Sequence, residues 1–361
     1  MADAGPPPRT SAALPIRVRV LLPLLLLVLG YASVRLYGRV PDRAVVELSG
    51  AALGTTWSVK LATSELGAEK RRTAFDAVAA QLERVDALMS TWRDDSELSR
   101  FNASTTQLPF AIASETGAVV AIALAVSAHS GGALDVTVGP LVDAWGFGRP
   151  ERRGPPGDAE LAKLREAVGW QQLVLGTDGR SLAKRTAALR VDLSAVAKGY
   201  AVDEIARALA GLGYRDFLVE VGGELRARGR HLDGAPWRVA IEVPEPSERR
   251  IHRIVELRDS SMATSGDYRN FYQLAGRRFS HTIDPRTGRP IEHSLASVTV
   301  VHPEAAWADA WTTALHVLGP EEGYALAAAQ QLAAYFIVRQ PDGFEVQLTP
   351  AFEPHLAAQE R

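Results

Sequence analysis

The sequence predicts an α+β protein: a body of mixed sheets and helices, preceded by an N-terminal membrane anchor or signal segment. Hydrophobic residues make up 47% of the 361 residues and charged residues 23%, which provides enough apolar material for a sizeable folded core. Segments with strand and helix patterns follow one another irregularly, which favours α+β over a regular parallel α/β sheet. A separate apolar run stands near the N-terminus, before these segments.

The N-terminal region divides into a polar tail and an apolar segment. Residues 1–15 are rich in Pro, Ala and Ser and are predicted to be disordered. Arg17 and Arg19 precede the apolar run 20–34, so we interpret residues 16–37 as a signal-anchor or a signal peptide. The run is short for a membrane-spanning helix, which needs about 20 residues, but no clean Ala-x-Ala cleavage site follows it. We expect an anchor in the inner (cytoplasmic) membrane, with the folded body on the periplasmic or extracytoplasmic side.

Residues 45–345 are predicted to form one folded domain, followed by a C-terminal tail at 346–361. Strand character at 45–62 surrounds Gly54, and apolar residues at helical spacing predict an amphipathic helix at about 68–90. A mostly apolar helix at 114–129 ends at Ser130-Gly131-Gly132, a natural C-terminal stop. The same periodicities predict helices at 158–168, 199–212, 305–317 and 321–329, and strands at 173–175, 189–193, 217–221, 237–243, 254–257, 297–301 and 334–338.

Composition and missing motifs exclude several classes of function. The formal net charge is −2, so there is no basic excess for binding nucleic acid. The chain has no cysteine, which removes disulfides, thiolate nucleophiles and Zn–thiolate or Fe–S sites. The P-loop and dinucleotide-binding glycine spacings, the Gly-x-Ser-x-Gly elbow and the His-Glu-x-x-His motif are also missing. The common hydrolase and dehydrogenase classes are therefore disfavoured.

Five short segments are richer in Gly, Asp, Ser and Thr than packing requires. Taken singly, each is ambiguous: Asp284-Pro-Arg-Thr-Gly288 is a good turn sequence, and Gly131-Gly132 or Gly222-Gly223 could simply end a helix or a strand. The segments are Leu53–Trp57, Met89–Asn102, Ser130–Gly148, Val191–Asp203, and a fifth that runs from Ala263–Tyr268 through Ser280–Pro290 to Ala308–Thr313.

Together, and in this order, the segments resemble the FAD:protein FMN transferase (ApbE) family. The resemblance covers roughly residues 45–340, and its most telling pieces are Met89–Asn102, Gly131–Gly148, His281–Pro290 and Ala308–Thr313. It implies a compact α+β fold with FAD, the substrate, in a cleft and Mg²⁺ at the pyrophosphate. The implied activity is Mg²⁺-dependent transfer of FMN from FAD to a threonine of a target protein, with release of AMP. The target would be a membrane or periplasmic redox subunit.

The resemblance also implies roles for particular residues. The implied FAD contacts are Leu53, Trp92, Ala133, Leu134, Asp135, Asp192, Lys198 and Ile283, with Lys198 at a position where the family can carry Glu. The implied Mg²⁺ ligands are the backbone carbonyl of Ala195, the carboxylate of Asp309 and the hydroxyl of Thr313, with Thr312 beside them. His281 lies where the family places a residue next to the reacting phosphate.

The residue types agree with this assignment. Asp309 and Thr313 are four residues apart on a predicted helix, so they share one face. Carboxylate, hydroxyl and carbonyl oxygens are the hard ligands that Mg²⁺ prefers. The alternative is that Asp309 is a first-turn residue that stabilises the helix dipole. As the general base that takes the threonine proton, we consider His281 first and Asp284 second.

Other functions remain open from the sequence. The same site could act as an FAD pyrophosphatase, releasing FMN and AMP to water, or it could belong to a non-catalytic FAD-binding accessory protein. A membrane-anchored polysaccharide- or peptide-binding module is a weaker alternative. The segment Asp233-Gly-Ala-Pro236 lacks the threonine of an acceptor sequence, so self-flavinylation there is not expected.

Overall fold

The computed structural model describes residues 43–64, 66–148, 155–245, 250–268, 270–274 and 276–358. The predicted tail 1–15 and the predicted anchor 16–37 lie outside these ranges. Among the described residues, no helix has the length and apolar character needed to cross a membrane. The predicted α+β class is confirmed for the body of the protein, which mixes helices with antiparallel sheets.

The elements follow one another in an irregular order. The strands are β1 (Arg43–Ala52), β2 (Thr55–Ser64), β3 (Phe110–Ala111), β4 (Leu173–Leu175), β5 (Ser181–Lys184), β6 (Phe217–Val221), β7 (Glu224–Arg228), β8 (Trp237–Glu242), β9 (Ile251–Leu257), β10 (Ser260–Gly266), β11 (Phe271–Leu274), β12 (Arg277–Ser280), β13 (Ile283–Asp284), β14 (Arg289–Pro290), β15 (Leu295–His302), β16 (Ala333–Gln340) and β17 (Gly343–Leu348). The α-helices are α1 (Ala68–Met89), α2 (Glu97–Ala103), α3 (Ser114–His129), α4 (Gly139–Ala144), α5 (Asp158–Glu166), α6 (Ser194–Gly211) and α7 (Ala305–Ala329).

An antiparallel sheet of eight strands forms the centre of the fold, in the order β1-β2-β6-β7-β10-β15-β16-β17. Helices α6 and α7 pack against each other over one face, with α1 beside α6. The two helices approach closely because residue 199 is glycine: a Cβ there would lie 2.3 Å from the carbonyl oxygen of Ala305. This crossing places the start of α6 beside the first half of α7.

The β8–β9 hairpin and the C-terminal segment form a second core with the main sheet. Trp237, Val255, Tyr335 and Phe352 belong to this core. Phe352 lies in a 3₁₀ helix, Pro350–His355, and is fully buried. Residues 346–357, which we predicted as part of a tail, therefore belong to the folded body instead.

Some predicted elements differ from the structure. The predicted strand at 189–193 is not formed, because the side chain of Asn102 takes both backbone groups of Val191: its amide donates to the carbonyl and its oxygen accepts from the N–H, both at 2.8 Å. The predicted helices at 305–317 and 321–329 run on as α7, with a kink at Gly319, where φ is +82°. Helix α6 begins at Ser194, five residues earlier than the predicted start at 199.

A third, smaller cluster lies apart from both cores. Leu141 and Trp145 from the α4 region pack with Leu161 of α5 and with Phe279 and Ile283 of β12 and β13. The indole N–H of Trp145 also donates to the carbonyl of Gly288 at 2.8 Å. This cluster holds the turn that carries His281.

Candidate active site

Two cavities meet at the first turn of α6. The first, which we name the His281 cavity, has a volume of about 430 Å³. The second, the Trp92 cavity, has a volume of about 450 Å³. Ser194 and Lys198 line both. A ligand longer than either cavity can therefore pass from one to the other along the start of α6.

The structure brings most of the predicted site residues to these cavities. The His281 cavity is lined by Ala133, Leu134, Asp135, Asp192, Ala195, Lys198, His281, Ile283, Asp309 and Thr313. Leu53 and Trp92 line the Trp92 cavity. Thr312 and Asp284 are not among the lining residues of either cavity.

The wall of the Trp92 cavity includes a strained turn. Leu53 and Gly54 connect β1 to β2 with φ values of +52° and +71°, as expected for a two-residue type I′ hairpin turn. A non-glycine residue rarely adopts such a φ, and strain of this kind is often kept at functional sites. Trp92, 63% exposed, lies across the same cavity and presents an aromatic ring to a ligand.

Asp135 organises the loop that follows α3. Its carboxylate accepts hydrogen bonds from the backbone N–H and hydroxyl of Thr137, at 2.8 and 2.6 Å, and from the N–H of Trp170 at 2.8 Å. Burial raises the pKa of Asp135, although these hydrogen bonds oppose the shift. The residue was predicted as a flavin contact. In the structure the Asp135 carboxylate is occupied by these hydrogen bonds within the loop region. Asp135 still lines the His281 cavity.

The start of α6 is fixed from the same side. Asp192 accepts a hydrogen bond from the N–H of Ser194 at 2.9 Å, and its own N–H donates to the carbonyl of Val136 at 2.7 Å. These bonds tie the helix start to the loop that follows α3. A helix N-terminus attracts anions through its dipole, so the start of α6 suits a phosphate group.

A buried charged cluster lies between α6, α7 and β7. The Lys198 ammonium is 3.4 Å from Oε1 of Glu224 and 3.6 Å from Oδ1 of Asp309. The N–H of Gly199 donates to the other oxygen of Asp309 at 3.0 Å. Sequence reasoning missed Glu224, although it directly follows Gly222-Gly223, a pair that we had noted only as a strand end.

The ionisation of the cluster shows that two carboxylates share one ammonium. Burial raises the pKa of Glu224 to about 8, with Lys198 opposing the shift and Asp309 adding to it. Burial likewise raises the pKa of Asp309. Burial alone would lower the pKa of Lys198, but Asp309 and Glu224 outweigh it and hold that pKa above its ordinary value. Lys198 therefore stays charged, and it is the counter-ion that the two buried carboxyl groups share.

The two threonines of α7 have different surroundings. The hydroxyl of Thr312 is buried, donates to the carbonyl of Asp309 at 2.8 Å and accepts from Ser265 at 3.0 Å. It therefore ties α7 to β10. The hydroxyl of Thr313 donates to the same carbonyl at 3.3 Å and lies on the cavity wall. Only Thr313 presents oxygen to the cavity.

His281 presents one ring nitrogen for chemistry. Its Nδ1 lies 2.9 Å from the carbonyl oxygen of Asn270, so Nδ1 carries the proton of the neutral ring and Nε2 keeps a lone pair. Burial lowers the pKa of His281, with the Asn270 carbonyl partly opposing the shift. The neutral, proton-accepting form is therefore favoured near pH 7.

Asp284, the second candidate base, is engaged elsewhere. Its carboxylate accepts the backbone N–H of Arg286 at 2.9 Å and binds the guanidinium group at 2.9 and 3.0 Å. The N–H of Gly288 donates to its carbonyl at 2.8 Å. Asp284 therefore stabilises the turn Asp284–Gly288, and His281 is the candidate base on the cavity wall.

The oxygen donors of the cavity fit a hard divalent cation. Within the described ranges, no three His, Asp or Glu side chains are grouped closely enough to hold a metal. Four residues of the cavity wall can supply oxygen ligands: the predicted Asp309, Thr313 and Ala195, the last through its carbonyl, and Glu224, which was not predicted. Oε2 of Glu224 is buried and lacks a hydrogen-bond partner among the described residues. Few protein ligands, all oxygen, match the way Mg²⁺ is held beside phosphates.

A helix N-terminus, hard oxygen donors and a proton acceptor around one cavity define a site for phosphoryl-transfer chemistry. Comparison with known proteins identifies the family. The model of the ApbE family matches residues 53–336, well over half of the chain. The chain belongs to the ApbE family.

Curated relatives and solved structures agree with this assignment. The chain is 44% identical to the FAD:protein FMN transferase of Vibrio cholerae over 86% of this chain and 93% of that protein. It is 40% identical to the FAD:protein FMN transferase of Escherichia coli K12, over 87% of this chain and 90% of that protein. The flavin transferase ApbE structure from Vibrio cholerae superposes with a TM-score of 0.80 at 43% identity, covering 87% of this chain and all (100%) of that one. The apo flavinyl transferase ApbE of Pseudomonas stutzeri superposes with a TM-score of 0.79 at 41% identity, covering 88% and 98%. The predicted family and the predicted transferase class are confirmed.

Proposed function

We propose that this protein is an Mg²⁺-dependent FAD:protein FMN transferase, which moves FMN from FAD onto a threonine hydroxyl of a second protein and releases AMP. Membership of the ApbE family supports the transferase activity, since the relatives carry that name. The fine chemistry rests on one observation: a single cavity of about 430 Å³ is lined by His281 and by the Lys198–Glu224–Asp309 cluster.

The chain's own residues account for binding and orientation of FAD. The Trp92 cavity offers an aromatic ring and the side chain of Leu53 to the isoalloxazine system. The first turn of α6, which borders both cavities, offers its N-terminus to the phosphates. Mg²⁺, held by Asp309 and its neighbours, supplies charge neutralisation at the pyrophosphate when bound.

The transfer itself needs one proton acceptor. The threonine oxygen forms a bond to the FMN-side phosphorus while the bond from that phosphorus to the bridging oxygen breaks, and that oxygen leaves with AMP. His281 Nε2 takes the hydroxyl proton, and its protonated Nδ1 remains hydrogen-bonded to Asn270. The sum is FAD and threonine converted to a phosphodiester-linked FMN, AMP and one proton.

We also propose that the catalytic domain is tethered to the inner membrane on its periplasmic or extracytoplasmic side, and that its target is a membrane or periplasmic redox subunit. The apolar run 20–34 behind Arg17 and Arg19 supports this proposal. A reporter fused at the C-terminus and followed by fractionation tests it. A soluble cytoplasmic reporter contradicts the tether.

Product analysis tests the proposed reaction against its alternatives. The purified protein is incubated with FAD and either Mg²⁺ or EDTA, with and without an acceptor protein, and AMP and free FMN are quantified by chromatography. We expect AMP to depend on Mg²⁺ and on the acceptor, with little free FMN. Equal amounts of AMP and free FMN without acceptor identify a pyrophosphatase. Retained FAD without AMP identifies an accessory protein.

A further inference from the structure

Lys198 stands in the middle of the proposed cation site. Its ammonium lies 3.4 Å from a carboxylate oxygen of Glu224, 3.6 Å from one of Asp309 and 3.1 Å from the carbonyl oxygen of Ser194. Three oxygens from three parts of the fold therefore converge on one positive charge. This is the arrangement that a bound metal cation would require, with an ammonium in its place.

The two carboxylates are more deeply buried than the lysine side chain. The side chains of Asp309 and Glu224 are only 4% and 5% exposed. Asp309 is also hydrogen-bonded to the Gly199 N–H at the tight crossing of α6 and α7. The side chain of Lys198 is 30% exposed and borders both cavities. Its four-carbon stem gives the ammonium freedom that the carboxylates lack.

The cluster also has an unused acceptor. Oε2 of Glu224 is buried and has no hydrogen-bond partner among the described residues. A buried carboxylate oxygen without a partner is costly, so its retention at a cavity wall points to a ligand that completes it. The Lys198 ammonium does not reach this oxygen, whereas a divalent cation with its bound waters would supply a partner for it.

We infer that Lys198 is a built-in counter-ion of the cation site. It holds Asp309 and Glu224 together until a divalent cation enters and then withdraws toward the Trp92 cavity, while Glu224 becomes an additional ligand, directly or through water. Like charges at this separation repel strongly in a buried site, so lysine and metal compete for the same oxygens. This inference rests on the proposed Mg²⁺ dependence. It adds that Lys198 competes with the cation and that Glu224 is a further ligand.

Magnesium binding by the full-length protein, without FAD, tests the inference. Wild type, Lys198→Gln and Glu224→Gln are titrated with MgCl₂ by calorimetry and by thermal melting, with Lys163→Gln on the exposed side of α5 as the matched control. For Lys198→Gln we expect a lower melting temperature without metal and an Mg²⁺ Kd at least about tenfold lower than that of wild type. For Glu224→Gln we expect weaker Mg²⁺ binding, and for Lys163→Gln no change.

A lysine that only stabilised the fold would give the opposite result, because its loss would weaken metal binding along with stability. An Mg²⁺ Kd of Lys198→Gln equal to or above that of wild type overturns the inference, while Mg²⁺-dependent AMP release by wild type would still support the proposed function. Absence of Mg²⁺ binding in both proteins also overturns the inference, and the dependence of AMP release on Mg²⁺ then tests the proposed function separately. If Lys198→Gln does not fold alone, the double variant with Glu224→Gln restores the charge balance. We expect it to fold and to lack the competition, so that its Mg²⁺ Kd lies below that of Glu224→Gln alone; an equal or higher Kd overturns the inference.

Discussion

The Asp309 side of the His281 cavity rests on the main core, whereas the His281 side rests on the small cluster around Trp145. Asp309 lies on α7 in the middle of the buried contact with α6. His281 lies between two short strands, and its neighbours Phe279 and Ile283 pack, within the described part of the chain, with three further buried side chains. We therefore expect the half of the site around Asp309 to open only when the whole protein unfolds, and the half around His281 to depend on local packing.

This contrast predicts that substitutions in the two halves have different effects on stability and activity. Damage to the charged half should disturb the buried contact between α6 and α7 or remove the proposed cation site. Damage to the base half displaces one imidazole while the rest of the protein stays folded, since locally held segments can open below the global unfolding free energy. The predictions that follow separate the two halves, from the largest expected effect to the smallest.

Removal of the Asp309 charge is expected to have the largest effect. Asp309→Asn preserves the shape of the side chain but leaves the proposed Mg²⁺ site without its α7 carboxylate, so Mg²⁺-dependent AMP release should fall by about 10³-fold or more. Thermal melting checks that the variant remains folded. Unchanged AMP release at limiting Mg²⁺ contradicts the cation site.

Loss of the His281 imidazole should lower the rate less than loss of the Asp309 charge, and it should leave FAD binding unchanged. His281→Asn removes the proposed general base, which typically contributes about 10²–10⁴-fold to the rate. FAD affinity and melting temperature should stay close to wild type, because Asn preserves the polarity and the approximate size of the side chain. A variant that turns over FAD at a near-normal rate places the base elsewhere.

The pH profile sharpens the same assignment. A base must be neutral to accept a proton, and burial lowers the pKa of His281 below its ordinary value of 6.5. The wild-type rate should therefore hold through pH 6.5 and fall only as the pH drops through this lowered pKa. The His281→Asn variant should lose that acidic limb. An unchanged limb in the variant contradicts the assignment of His281.

Matched leucine-to-alanine substitutions compare the main core beside Asp309 with the small cluster beside His281. Leu315 of α7 and Leu141 of α4 are both fully buried, and Leu→Ala substitutions in cores cost about 2–5 kcal/mol. We expect Leu315→Ala to lower the global unfolding free energy by this amount. Leu141→Ala should lower it less and should lower kcat, because its cluster positions His281. Denaturant unfolding and steady-state rates measure both. Equal stability losses with an unchanged kcat in Leu141→Ala contradict the local support.

The smallest effect is expected at Thr313. Its hydroxyl is proposed as a neutral ligand that water can replace, so Thr313→Ala should lower the rate at saturating Mg²⁺ by less than about tenfold, the value of one ordinary hydrogen bond. The magnesium concentration that gives half-maximal rate should rise modestly. An effect as large as that of Asp309→Asn contradicts this ranking.

The sequence predicted residues in both halves of the site and missed one member of the charged half. Asp309 and Thr313 lie on one helical face, a relation that periodicity alone establishes, and the structure places both on the cavity. Glu224 escaped notice because its neighbour in space, Lys198, is far away in the sequence and because the Gly222-Gly223 pair already had a structural explanation. Charge pairing across strands and helices cannot be inferred without the fold.

The errors elsewhere have similar causes. Asp284 is a sound candidate base by residue type, but local hydrogen bonds commit it to Arg286, a contact between residues only two apart that turn statistics do not reveal. The absent strand at 189–193 reflects a side chain, Asn102, that replaces a strand partner. In both cases a polar side chain forms hydrogen bonds with backbone groups: Asp284 with the N–H of Arg286, and Asn102 with both groups of Val191. These contacts overrode the local sequence pattern.

Mass mapping of an acceptor protein tests the central claim most directly. The acceptor is incubated with FAD, Mg²⁺ and either wild-type protein or the His281→Asn variant, digested, and analysed by tandem mass spectrometry. We predict FMN attached through a phosphodiester to one threonine, in an amount equal to the AMP released by wild type, and far less modification with the variant. AMP accompanied by free FMN and an unmodified acceptor would contradict the proposed transfer.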